Sequence, residues 1–109
     1  MQEITLRELC KKYDVSRRAV QGYEKAGLVQ ASGKNKMGHL LYDMKSQERI
    51  QKIRMFQNIG FSIKDIAAII DLPREEVFPL LEEQVKKLEK EQVRIEEQII
   101  IVHKLLQQN

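Results

Sequence analysis

Apolar side chains recur at helical spacing along most of the chain, and short polar segments interrupt them. The first stretch has apolar residues at positions i, i+3, i+4 and i+7, namely Leu6, Leu9, Cys10 and Tyr13. This spacing predicts a short helix with one apolar face. Thr5 and Glu8 form a capping-box pattern at its start, because each side chain can accept a hydrogen bond from the other residue's backbone N–H group.

A second short helix is predicted directly after a tight turn at Asp14-Val15. Ser16 is a favourable N-cap residue, and Gly27 suits the left-handed conformation that commonly follows a helix end. The residues expected to face inward are Ala19, Val20 and Tyr23. Two short helices joined by about three residues, with arginines in the second, are typical of a helix-turn-helix motif.

A small β-hairpin and two more helices are predicted next. The hairpin comprises two short, mainly apolar segments, residues 28–31 and 39–42, around the polar segment 32–38, which contains glycine, asparagine and lysine. Asp43 or Ser46 is expected to cap the third helix, and Gly60 to end it. Ser62 is expected to open the fourth, whose predicted apolar face comprises Ile63, Ile66, Ala67 and Ile70.

The last third of the chain predicts one long helix, because residues 75–107 contain no glycine and a single proline near the start. Seam positions repeat there at alternating spacings of four and three: Leu81, Val85, Leu88, Gln92, Ile95, Ile99, Val102 and Leu106. This heptad pattern predicts a coiled-coil dimer interface that a second copy buries. Gln92 either specifies the register of the coil or lies partly exposed where the coil loosens.

The expected fold class is therefore mainly α: a helix-turn-helix head with a small hairpin, residues 1–74, followed by a dimerisation helix, residues 75–109. Charge divides in the same way. The head has 14 Lys/Arg and 8 Asp/Glu, a net charge of +6, whereas the tail has 5 and 8, a net charge of −3. A basic head and an acidic tail indicate two different tasks.

Several other classes of protein are not expected. The longest apolar run, Ile66–Ile70, is five residues, whereas a membrane span needs about 20. Residues 1–4 lack the features of an export signal, and a single cysteine, Cys10, fits a cytoplasmic protein. Cys10, His39 and His103 lie on separate elements without metal-binding spacing, and no catalytic constellation stands out. We expect no enzyme, no metal site and no cofactor.

The start of the second predicted helix is the main candidate for contact with double-stranded DNA. Cations are unfavourable at a helix N-terminus unless an anion compensates them, and a recognition helix meets the major groove with its first residues. The candidate residues are Ser16, Arg17, Arg18 and Gln21. A solvated, charged helix end is the alternative interpretation.

The hairpin loop supplies a second candidate set. Lys34 and Lys36, with His39 close by, lie on a glycine-flanked tip. Lysines there suit contact with backbone phosphates, which adds affinity without sequence choice. A generic polar loop is the alternative interpretation.

These motifs together resemble the MerR family of bacterial transcription regulators over nearly the whole chain. Val15-Ser16 with Arg18 is similar to the family's turn and recognition-helix start. Its Arg-Tyr-Tyr-Glu…Gly-Leu signature and Gly-Tyr-Arg-x-Tyr wing motif are matched in part by Tyr23-Glu24, Gly27-Leu28, Gly38 and Tyr42. The family's Leu-Gly-Phe-Ser/Thr-Leu segment is similar to Ile59-Gly60-Phe61-Ser62-Ile63.

The resemblance implies a winged helix-turn-helix that dimerises through antiparallel C-terminal helices on a pseudo-palindromic promoter operator. Members often activate by bending and untwisting an overlong promoter spacer, which makes RNA polymerase a further implied partner. Carried over by position, Arg18 would contact a base or phosphate, and Tyr23 would contact a phosphate or support the helix. Lys34, Lys36 and His39 would follow the DNA backbone, and Ser62 would offer its backbone amide to a phosphate.

This chain departs from the family pattern at its usual contact residues. Gln21 and Gly22 stand where the signature has Arg-Tyr, and His39-Leu40 where the wing has Tyr-Arg. Two cations and two aromatic rings are therefore missing, and Arg17, Lys34 and Lys36 are candidates to replace the charge. A glycine within a helix also costs about 1 kcal/mol relative to alanine.

The family's inducer or metal is usually held at or beyond the end of the dimer helix. The sequence ends at Gln107-Gln108-Asn109 and its cysteine lies in the head, so a small-molecule effector is not expected for this chain. It is either a short, constitutive or partner-controlled member or a piece that lacks an effector region. Two further hypotheses stay open: a MerR-like interaction module that has lost DNA binding, and an excisionase-like architectural DNA binder.

Overall fold

The computed structural model describes residues 3–108, which form five α-helices and three short β-strands. Met1, Gln2 and Asn109, which entered the arguments on export and on the end of the chain, lie outside the described residues. The chain divides into two compact units, one ending at Asp71 and the other beginning at Leu72. We call them the head unit and the tail unit. The division lies about three residues before the boundary drawn from the sequence.

Helices α1, Leu6–Tyr13, and α2, Arg17–Lys25, form the helix-turn-helix. The predicted capping box is confirmed: the Thr5 N–H donates to Glu8 Oε1 at 2.9 Å, and the Glu8 N–H donates to Thr5 Oγ1 at 3.3 Å. Hydrogen bonds from the Thr5 N–H and the Thr5 hydroxyl to the Glu8 carboxylate hold the pKa of Glu8 below its usual value. Ser16 caps α2 by accepting from the Ala19 N–H at 2.9 Å. Gly27 follows α2 with φ +75°, as predicted.

The wing is a three-stranded antiparallel sheet of β1, Ile4–Thr5, β2, Gly33–Lys34, and β3, Leu40–Tyr42, in the order β1-β3-β2. The predicted first hairpin strand, residues 28–31, is wrong. Leu28 and Val29 are buried without forming a strand, and β2 lies inside the segment predicted as loop. Apolar character there reflects burial of a connection, and strands of two residues are too short to show alternation.

Helices α3, Met44–Asn58, and α4, Ile63–Ile69, complete the head unit. Asp43 rather than Ser46 caps α3, accepting from the Ser46 N–H at 2.9 Å. The predicted apolar face of α4 is partly wrong, since Ala67 is exposed and Ile69 is buried beside Ile66 and Ile70. The inward face centres on positions i, i+3 and i+4, which leaves Ala67 on its flank.

The core of the head unit receives side chains from each of its four helices and from β3. The residues with less than 2% of their surface exposed include Leu9, Val20, Tyr23, Tyr42, Ile50, Ile53, Ile66 and Gln47. The Oε1 atom of Gln47 accepts from the hydroxyl of Tyr13 at 3.0 Å and from Lys12 Nζ at 3.2 Å. Its Nε2 donates to the Tyr42 carbonyl at 2.9 Å. Burial of this amide is therefore matched by hydrogen bonds.

The tail unit contains helix α5, Arg74–Leu106, which is 33 residues long and has no buried residue. At 1.5 Å per residue it extends about 50 Å. Pro79 is accommodated in the second turn, and the Arg74 guanidinium lies 4.9 Å from the Phe78 ring centroid. Arg94 pairs with Glu91 at 2.6 Å on the surface.

Candidate nucleic-acid interface

The exposed face of α2 contains all the candidate contact residues predicted on that helix except Tyr23. Val20 and Tyr23 are buried, and this orients Arg17, Arg18 and Gln21 outward together. Ser16 is also exposed, although its hydroxyl is occupied by the N-cap hydrogen bond. The arrangement presents two guanidinium groups and one carboxamide. Guanidinium groups bind guanine base edges and phosphate oxygens, and carboxamides bind the adenine base edge.

Two tyrosine hydroxyls fix the inward side of α2. Tyr23 donates to Gln57 Oε1 on α3 at 2.5 Å, and Tyr42 of β3 donates to Glu24 Oε2 at 3.1 Å. Burial raises the pKa of Tyr23, and burial together with the Glu24 carboxylate raises the pKa of Tyr42, so both phenols stay protonated. The burial of Tyr23 favours the supporting role over direct phosphate contact.

A hydrogen bond from helix α3 stabilises the turn between α1 and α2. Asp14 has φ +50°, a left-handed conformation that aspartate tolerates better than most residues. Arg54 Nη2 on α3 donates to the Asp14 carbonyl at 2.7 Å, and Val15 is buried beside the turn. The orientation of α2 relative to α1 is therefore set by contacts that lie away from its exposed face.

The wing tip presents the three predicted loop residues to solvent. Asn35 organises the loop, because its Oδ1 accepts from the N–H groups of Met37 and His39, both at 3.0 Å. Gly38 has φ +85°, which permits the tight return. Lys34, Lys36 and His39 are exposed on this loop and its adjoining strand, at a place suited to contacts with the phosphates of a DNA backbone.

Ser62 lies at the start of α4, as predicted, but its backbone amide is partly occupied. The Ser62 N–H donates to Asp65 Oδ2 at 3.4 Å, and the Asp65 N–H donates to Ser62 Oγ at 3.1 Å. A phosphate at this helix start would have to displace the Asp65 carboxylate. Ser62 is consequently the weakest of the predicted contact residues.

Sequence reasoning missed two residues that the structure brings to this region. Gln57 supports Tyr23 from 34 positions away, a relationship that no local pattern reveals. Arg7 lines the same cavity as Arg17 and His39. A sequence signal for Arg7 did exist, because it lies two residues after the cap residue Thr5 as Arg18 lies two residues after Ser16, in the first turn of a helix.

The predicted seam of α5 lies exposed in the single chain. From Val85 onward the apolar seam side chains keep 45 to 77% of their surface exposed, and Gln92 is exposed with them. Leu81 is half-buried. Further apolar residues, Ile100, Ile101 and Leu105, widen the exposed apolar surface near the end of the helix. Apolar surface of this extent is typical of an interaction face.

Residues 3–108 contain no cluster of three or more His, Cys, Asp or Glu side chains able to hold a metal ion. Cys10 is half-buried on α1. Among the described residues, no helix is both long and apolar enough to cross a membrane.

Comparison with known proteins places this geometry in a family. The family described as MerR HTH family regulatory protein matches residues 4–72, more than half of the chain. The nodulation protein NolA of Bradyrhizobium sp. (strain NC92) is 33% identical over 82 residues, which span 75% of this chain and 34% of NolA. The chain thus spans about a third of the length of this relative.

Solved structures show the same fold. A MerR family transcriptional regulator from Bacillus cereus has a TM-score of 0.85 at 28% identity, covering 94% of this chain and 79% of its own. The N-terminus of the Bacillus subtilis multidrug transporter activator, MtaN, has a TM-score of 0.79 at 27% identity, with 96% and 99% covered.

A third solved structure, HiNmlR, is described as a MerR family regulator lacking the sensor domain and bound to promoter DNA. It shares the fold with a TM-score of 0.70 at 23% identity, covering 96% of this chain and 85% of its own. With its winged helix-turn-helix, this chain belongs to the MerR family of regulatory proteins.

Proposed function

We propose that the chain is a sequence-specific, DNA-binding transcription regulator that acts on a promoter operator as a homodimer. Residues 1–74 bind DNA, and residues 75–109 pair with a second copy. The observation that carries the proposal is the outward cluster of Arg17, Arg18 and Gln21 on a helix whose opposite side is fixed by Tyr23. HiNmlR, which has this fold, is described as bound to promoter DNA.

Each contact residue has a role that follows from its chemistry. Arg18 and Gln21 face the major groove and read base edges, because guanidinium and carboxamide groups form paired hydrogen bonds with guanine and adenine. Arg17, Lys34, Lys36 and His39 bind phosphates and set the register of the protein on the duplex. Ser16 shapes the helix start, and the Ser62 backbone amide binds a more distant phosphate that displaces the Asp65 carboxylate.

The exposed seam of α5 supports the dimer. A second copy of the helix is the simplest partner, because Leu88, Ile95 and their seam neighbours repeat in a heptad pattern that matches itself. In the antiparallel arrangement, the two Gln92 side chains lie near the middle of the seam and pair with each other. RNA polymerase is the further partner proposed for a promoter-bound regulator.

Fluorescence anisotropy with promoter DNA from upstream of the protein's own gene tests the DNA-binding proposal. Affinity is expected to fall steeply between about 50 and 200 mM salt, since bound phosphates release counterions. Replacing Arg17, Arg18, Lys34 and Lys36 together with alanine should abolish binding and leave the dimer intact by sedimentation. Wild-type binding without salt dependence would contradict the proposed phosphate contacts.

A protein-interaction module that no longer binds DNA is the second candidate. Gly22 and Leu40 favour it, because neither supplies a donor at positions where the family pattern has a polar contact residue. This candidate predicts that the quadruple alanine variant behaves as the wild type in a pull-down with its partner. An architectural binder would instead coat promoter and non-promoter duplexes equally, which the same titration with an unrelated duplex measures.

A further inference from the structure

A cavity of about 440 Å³ lies in the head unit where the start of α1, the start of α2 and the wing meet. Its lining includes Arg7 from α1, Arg17 from α2 and His39 from the wing. Three different elements of the head unit thus bring basic side chains to one depression. Leu40, also in the lining, adds no hydrogen-bond donor from its side chain.

The two arginines are free to bind an anion. Both side chains are exposed, and within residues 3–108 neither has a carboxylate within 4.0 Å or a hydrogen-bond partner. Glu8, the neighbour of Arg7, is engaged by Thr5. Like charges that line one cavity repel each other, and the positive end of α2 adds to the same potential. An anion bound in the cavity would reduce the repulsion between the arginines and interact favourably with the positive end of α2.

We propose that Arg7, together with Arg17 and His39, binds a backbone phosphate of DNA in this cavity. The inference rests on the proposed function and adds a contact residue to it. Arg17 belongs both to this cavity and to the exposed face of α2, so a strand bordering the groove that α2 occupies passes the cavity. Arg7 supplies from α1 the cation that Leu40 does not supply from the wing.

The test compares three variants on a mixed-sequence duplex of about 30 base pairs. Arg7→Ala should lower affinity and reduce the slope of log affinity against log salt by about 1. Arg7→Lys should keep most of the slope, because the charge remains and only the forked donor is lost. Lys90→Ala is the matched control, since Lys90 is exposed on α5 midway between Leu88 and Gln92, on the side away from the seam.

Failure of this inference is distinguishable from failure of the proposed function. A slope unchanged by Arg7→Ala but reduced by Lys34→Ala, which removes a proposed phosphate contact outside the cavity, would overturn the role of Arg7 and leave DNA binding intact. A wild-type protein that does not bind the duplex at low salt would overturn both. If inorganic phosphate at constant ionic strength raises the wild-type Tm but not that of Arg7→Ala, while DNA affinity is unchanged, the cavity binds free phosphate and the inference is wrong. Circular dichroism melts confirm that each variant is folded.

Discussion

The hydroxyl of Tyr23 on α2 donates a 2.5 Å hydrogen bond to the side-chain oxygen of Gln57 on α3. Both residues lie on the side of α2 opposite Arg17, Arg18 and Gln21. The bond therefore joins the helix that presents the contact residues to the longest helix of the head unit. We expect this pair to set the orientation of α2 without touching DNA.

Tyr23→Phe should lower the free energy of unfolding by about 1 kcal/mol, because a partly buried hydrogen bond is lost while the ring still packs. Urea denaturation at fixed protomer concentration measures the change. DNA affinity, measured well below the melting temperature, should stay close to that of the wild type. Unchanged stability with a several-fold loss of affinity would instead identify the hydroxyl as a phosphate contact.

Gly22→Ala should stabilise the protein by about 1 kcal/mol, since alanine is favoured over glycine within a helix. A Cβ at this position would meet no atom within 4 Å beyond its neighbours and its own helix backbone. Thermal and urea denaturation measure the gain. Gly38→Ala is the contrasting variant, because its φ of +85° should make the same substitution destabilising. Equal effects of the two variants on stability would contradict the explanation that alanine stabilises position 22 through its higher helix propensity.

Asp71→Asn should change how stability depends on pH. Arg49 donates from both terminal nitrogens to Asp71, at 2.7 and 3.0 Å, and these bonds hold the pKa of Asp71 below its usual value. A depressed pKa in the folded state contributes stability above the pKa of the unfolded chain, about 3.9. That contribution is lost as the pH falls through the lower, folded value.

The wild type should therefore be more stable than Asp71→Asn near neutral pH, and the two should converge below about pH 4. Urea denaturation across this range gives the difference at each pH. Glu48→Gln, which removes an exposed carboxylate from α3, is the control. A gap between wild type and Asp71→Asn that is the same at all pH values would show that the ion pair does not determine it.

Leu88→Glu should convert the protein from dimer to monomer, because a charge at the apolar seam loses its hydration when a second helix covers it. Sedimentation equilibrium measures the mass. Lys90→Glu introduces the same side chain two residues away, on the opposite side of α5, and should leave the dimer intact. Monomer formation by both variants, or by neither, would contradict the proposed seam.

Gln92→Leu should raise the melting temperature and weaken the selection of a single register, because a polar seam residue trades stability for specificity. Thermal melts and sedimentation velocity measure both effects. Unchanged melting and unchanged size together would show that Gln92 lies outside the interface and has no part in register.

The features that sequence predicted well are local. Each helix cap of the head unit depends on contacts within three residues, and the cap predictions at Thr5, Ser16 and Ser62 are confirmed. The missed features join distant positions. β1 pairs Ile4 with Tyr42, and Arg7 reaches the cavity of Arg17 and His39, although no periodicity links these positions.

The wing was misplaced for a related reason. Leu28 and Val29 are apolar because the link after α2 is buried, whereas the strand that pairs with β3 consists of Gly33 and Lys34. A run of apolar residues indicates which positions are buried. In this part of the chain the buried residues, Leu28 and Val29, are not the residues that pair with β3.

Gly22 leaves an unoccupied place on the outward face of α2, beside Arg18 and Gln21. Because no neighbouring side chain packs against it, a single substitution there can add a new group to the surface proposed to bind DNA without rearranging the core. We therefore expect that mutation at this one codon changes the preference for the proposed operator while the fold is preserved. On the proposed function, the same glycine that lowers helix stability makes binding specificity readily evolvable.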